Sequence, residues 1–204
     1  MSTNHASTVS MDLPHPWEPV PVEPDEYARW VKETLASVEG TEEDKHEIEV
    51  GFRSLLVESR AEGLVWAAGF CEQIPSETAA GGQRPIAASA FIGIRPAPEL
   101  EGAMSSVAWL AALRSAEVDG ELRALRDAEI VTIGGYEAVK SVAIERLPAD
   151  QVLPEMFNYS QTYYLSSLEH GLVVAVGFRS PCIWLIDSLE PLFDAIADTL
   201  ALDL

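Results

Sequence analysis

Among side chains able to do covalent chemistry, Cys182 has the most suggestive setting. It follows a strand-forming run and precedes a helix-forming one. A cysteine attacks as the thiolate, so it needs a base or a positive field, and His170 and Arg179 are the candidates. No motif ties either to it. A small buried residue at a sheet edge is the reading the sequence favours for Cys182, since unpaired cysteines are mostly buried. No Gly-x-Ser-x-Gly elbow occurs, and Ser105, Ser106, Ser166 and Ser167 sit in ordinary helix or strand contexts. The four histidines are His5, His15, His46 and His170, and none has a second ligand at metal-binding spacing. No catalytic residue, metal or cofactor is therefore assigned, with Cys182 kept as the fallback nucleophile.

Binding chemistry has more to work with. The chain carries 33 acids against 13 bases, a net charge of −20. A surface of that sign repels nucleic-acid backbones and anionic membranes. It favours solubility and basic protein partners. Residues 21–49 are the densest stretch, with ten acids against three bases, and include Glu42, Glu43 and Asp44. A second acidic stripe, Glu190, Asp194 and Asp198, recurs every four residues near the C-terminus. Tyr163 and Tyr164 add an aromatic pair beside Phe157 and Tyr159. Adjacent strand residues point to opposite faces, so one of the pair leaves the core and suits a protein interface; packing under a loop is the competing reading.

The elements that position these residues are legible from periodicity. Residues 24–38 form a helix, opened by Pro24, Asp25 and Glu26 and stopped by Gly40. Thr41 caps a second helix running to about Ser59. From Leu64 the period changes to that of strands, giving a long-looped hairpin over 64–73 and 84–96. Small residues in both strands (Ala67, Ala68, Gly69, Ala87, Ala88) imply a helix packed closely against them. A third helix is predicted over 98–116, with a short helical turn over 121–127. Strands follow at 128–133, 137–147, 161–168 and 172–179. The Gly134–Gly135 pair joins two strands by a two-residue loop, a hairpin signature. A phosphate cradle would lead into a helix instead. The last element is an amphipathic helix, capped by Asp187 or Ser188, with Pro191 in its first turn and Leu189, Phe193, Ile196, Ala197 and Leu200 inward.

The stretch "YYLSSLEHGLVVAVGFRSP" followed at once by "LEPLFDAIADTL", after the "IGGYEAVKS" strand pair, resembles the PsbP-like α/β/α sandwich superfamily, in particular actinobacterial LpqN-type proteins. The resemblance implies an antiparallel sheet clad by helices, with the C-terminal helix docked on it. It also implies an accessory or binding role. The LpqN type carries a leader and a lipid-attachment cysteine, which the start of this sequence lacks, so a cytoplasmic location with free thiols is expected.

The expected fold is α+β: an antiparallel sheet of about six strands covered by helices, in one domain over 24–204. Residues 1–23 are expected as a flexible, proline-rich arm, and Met11 is a possible alternative start. The expected function is a non-enzymatic accessory or binding protein whose acidic surface contacts a protein partner. The alternatives are an immunity or secretion-accessory protein facing a basic partner, and a cysteine-dependent enzyme.

Overall fold

Gly134 and Gly135 take φ values of 55° and 85° and reverse the chain between two strands. Gly134 has a second reason to be glycine: a Cβ there would lie 2.1 Å from the Leu200 carbonyl oxygen. The Gly134 N–H donates to Asp198 Oδ1 at 3.1 Å. The pair therefore turns the chain and seats the turn on the end of the C-terminal helix.

The computed structural model describes residues 8–76, 82–97, 105–115, 123–147, 156–167 and 171–203. In chain order the elements are β1 (Thr8–Ser10), β2 (Glu18–Pro19), α1 (Pro24–Ser37), α2 (Glu42–Ala61), β3 (Leu64–Pro75) and β4 (Gln83–Pro96). Then come α3 (Ser106–Ser115), β5 (Arg123–Ile133), β6 (Tyr136–Leu147), β7 (Met156–Ser167), β8 (Leu172–Ser180), α4 (Ile186–Ala197) and β9 (Ala201–Asp203). Seven strands form one sheet in the order β2-β3-β4-β8-β7-β6-β5, and β1 pairs with β9. Every pairing is antiparallel.

Strand alternation sorts side chains between the two faces. Ala68, Ala88, Ala90, Tyr159, Tyr163, Val176 and Phe178 join the core that includes Leu189, Phe193 and Ile196 of α4. Ala67 and Ala87, one residue out of step, meet Tyr27 and Val31 of α1 and Ile48 and Phe52 of α2. The small residues of β3 and β4 admit these helices closely. A Cβ on Gly69 would stand 3.1 Å from Trp30 and 3.4 Å from Phe52. Thr41 and Asp44 close a reciprocal cap at the start of α2: the Asp44 N–H donates to Thr41 Oγ1 at 3.1 Å, and the Thr41 N–H to Asp44 Oδ2 at 3.0 Å.

Several elements differ from the sequence reading. The sheet has seven strands because residues 18–19 add an edge strand to β3. The described part of the expected loose arm is laid over the domain: Trp17 is 8% exposed and Val20 7%. Residues 123–127 extend β5 where a helical turn was expected. Their alternation is broken by a bulge between Leu125 and Asp127 and by charges that an edge strand tolerates. β7 begins at Met156 rather than 161. Helix α4 starts at Ile186, because a 3-10 turn over Ile183–Leu185 runs straight into it, so Pro191 lies inside the helix. Residues 98–104 and 116 of the expected third helix lie outside the described residues.

Candidate functional site

Lys140 sits on β6, on the face that α4 covers, and is 5% exposed. A buried ammonium needs paired carboxylates, and α4 supplies them. Lys140 Nζ lies 3.1 Å from Glu190 Oε1 and 2.8 Å from Asp194 Oδ1. Asp194 also accepts from Gln161 Nε2 at 2.8 Å and from the Tyr163 hydroxyl. The Tyr159 hydroxyl donates to Gln161 Oε1 at 2.6 Å, and Gln161 Nε2 also donates to the Tyr163 oxygen. Tyr159, Gln161 and Tyr163 are all fully buried on β7. One chain of hydrogen bonds thus runs from the middle of the sheet, through Asp194, to the lysine.

The electrostatics keep this chain in a resting state. Burial opposes the Lys140 charge, but the hydrogen bonds and charges of Asp194 and Glu190 outweigh it and hold the ammonium above the usual lysine range. Burial, reinforced by Asp194, raises the Tyr163 phenol well above its ordinary value. Neither group is a neutral-pH base or nucleophile as placed. Their geometry pins α4 to the sheet.

Beside the network lies an open cleft of about 400 Å³, lined by Glu129, Val131, Thr132 and Ile133 of β5, Lys140 of β6, Tyr163 of β7, Asp194 and Ala195 of α4, and Asp198 just beyond it. Three carboxylates line it against one base, which is paired with one of them, Asp194, and with Glu190 outside the lining.

The opposite face holds a second buried polar group. Ser89, Ser141, Glu145, Asn158, Ser160, Thr162 and Arg179 are each 9% exposed or less. Ser160 Oγ donates to Glu145 Oε1 at 2.9 Å, and Arg179 Nε lies 3.9 Å from Glu145 Oε2. The Arg179 guanidinium also stands 5.9 Å from the Phe91 ring centroid.

The structure redistributes the residues singled out by sequence. Glu190 and Asp194, expected on a solvated stripe, turn to Lys140 and are 38% and 46% exposed. Asp198 binds the Gly134 turn. Tyr163 is fully buried, and Tyr164 is half-buried and stacked on Trp109 of α3, ring centroids 5.4 Å apart, so neither offers the exposed ring expected of an interface. The reason is that helices cover both faces. Glu42 and Glu43 are exposed, while Asp44 is half-buried as the cap and lies 4.0 Å from Arg84. Cys182 is buried, its N–H bound to Ser180 Oγ at 3.1 Å, and burial raises its thiol. Burial, with Cys182 and Glu72 adding, pushes the Cys71 thiol up to about 12. His170, the suggested base for Cys182, lies outside the described residues. No cluster of three His, Cys, Asp or Glu ligands forms among the described residues, and none of their helices is long and apolar enough to cross a membrane.

Sequence reasoning missed Lys140 and Gln161. The signal was present in β7: "NYSQTY" is polar at every position, though β7 lies between β6 and β8 inside the sheet. Polar residues on both faces of a central strand imply buried partners on both sides.

No family model matches the chain, and no curated protein matches it. Among solved structures the chain is similar to the solution structure of cyanobacterial PsbP (CyanoP) from Synechocystis sp. PCC 6803, at 12% identity and a TM-score of 0.41, over 70% of this chain and 88% of that one. The sheet architecture stands on its own strand registers.

Proposed function

We propose that this chain is a non-enzymatic accessory or binding protein of the LpqN-like type that contacts a basic protein partner through its acidic surface. One observation carries the reading. Glu23, Asp25, Glu26, Glu33, Glu39 and Glu43, on and around α1 and the start of α2, are exposed. None of them forms an ion pair with a base among the described residues. Exposed like charges concentrated on one region repel each other, and a basic surface relieves that repulsion on docking. Lys140, by contrast, is engaged in holding α4 to the sheet.

Contacts of this kind are screened by salt. The affinity for a partner isolated from the native host is expected to fall at least tenfold between about 0.05 and 0.5 M salt. Charge reversal at Glu39 and Glu43 is expected to reproduce most of that loss at low salt. Calorimetric titration of the purified pair measures both; an affinity indifferent to salt removes the acidic surface from the account.

A further inference from the structure

We infer that the edge of β5, together with the cleft beside α4, is a seat for an extended basic segment of a partner protein, added as a further strand. This rests on the acidic-surface reading and locates a contact for it. β5 ends the sheet order and pairs only with β6 among the described residues. In a two-residue hairpin the flanking residues, Ile133 and Tyr136, form the hydrogen-bonded pair. Counting back by twos, Glu129 and Val131 bond inward to β6, and Ala128, Ile130 and Thr132 turn their backbone groups outward. The Ala128 N–H agrees with this register, because it donates to Asp127 Oδ1 at 2.8 Å. That local bond closes the edge at Ala128 and leaves the outward backbone groups of Ile130 and Thr132 for pairing.

The side chains point to what would pair there. Glu129, Val131 and Ile133 share the cleft face with Lys140, which is the register partner of Glu129. A strand laid along β5 projects alternate side chains over that cleft, toward Glu129, Asp194 and Asp198. A lysine or arginine there meets carboxylates over an apolar floor; an acidic side chain meets repulsion. Ile130, 39% exposed, lies on the other side of the same edge and offers an apolar contact to the next residue of the added strand.

The test uses the full chain, labelled for NMR, and a blocked synthetic peptide of roughly nine alternating lysines and valines, a typical strand length or slightly more. The expected result is shifts at the Ile130 and Thr132 amides. Glu129→Lys, at an exposed position outside the lysine network, is expected to weaken binding at least tenfold. N-methylation of alternate peptide nitrogens, which prevents pairing, is expected to do the same. Binding that leaves β5 unshifted, maps to α1 and α2 and ignores Glu129→Lys overturns this seat while leaving the acidic-surface reading standing. Equal binding of a glutamate–valine peptide overturns the charge argument. Absence of any peptide binding at low salt overturns the seat, and the salt series with the host partner then decides the broader reading separately.

Discussion

Replacing Trp17 with alanine is expected to cost about 3–5 kcal/mol of unfolding free energy, the range for emptying a buried aromatic site. The indole stands edge-on to Phe70, Phe178 and Phe193, with ring centroids 5.0, 6.4 and 6.3 Å away. Phe178 and Phe193 are themselves stacked at 4.8 Å, so the loss opens the contact between β8 and α4. Urea unfolding followed by far-UV circular dichroism measures it. A loss under about 1 kcal/mol would mean that the arm is loosely attached and that Trp17 contributes little to the core.

The second large effect is an asymmetry within the lysine network. Asp194→Ala leaves Lys140 with Glu190 alone, strips the acceptor from the Tyr163 hydroxyl and takes one of the two acceptors of Gln161 Nε2, all three donors being buried. Breaking a buried pair by removing one partner costs about 3–5 kcal/mol. Asp194 is 46% exposed, so solvent screening brings the expectation down to about 2–3 kcal/mol. Lys140→Met removes the buried charge itself and leaves two carboxylates that water can reach. Its expected cost is about 1 kcal/mol, close to that of an apolar replacement of similar shape. The same unfolding experiment ranks the two. If Lys140→Met proves the more damaging, the lysine rather than the aspartate organises the seam.

The parts of the fold that were legible in the sequence are those governed by local rules. The Thr41 cap, the glycine hairpin and the Leu189–Phe193–Ile196 stripe each depend on residues a few positions apart. The seam was not legible, because Lys140 and Asp194 are 54 residues apart. Four-residue spacing shows that Glu190, Asp194 and Asp198 share a helix face. It does not show that this face borders a sheet carrying a buried cation. Trp17 was hidden for a related reason: a proline-rich stretch has no period, so its burial is visible only when the aromatic cluster it completes is assembled. The sequence reading starts β5 at 128 because Arg123, Arg126 and Asp127 interrupt the apolar alternation before it, as charges on an edge strand do.

The raised titratable groups of the fold also set a direction for pH dependence. A group whose pKa is raised on folding stabilises the native state fully below its unfolded value, and that contribution is lost as pH climbs through the folded one. Lys140, Tyr163, Cys71 and Cys182 are all raised, so their joint contribution is intact at neutral pH and is lost on the alkaline side. The thiols begin that loss, since an unfolded cysteine titrates near about 8.5.

The buried polar groups between β6, β7 and α4 lock the fold, and the carboxylates in water are the ones proposed to meet a partner. The most direct measurement is an NMR titration of the Lys140 Nζ resonance in the intact chain. The Lys140 ammonium is expected to keep its proton beyond about 10.4, the value of a free lysine. A Lys140 that deprotonates near neutral pH would be an amine poised for chemistry, and would contradict it.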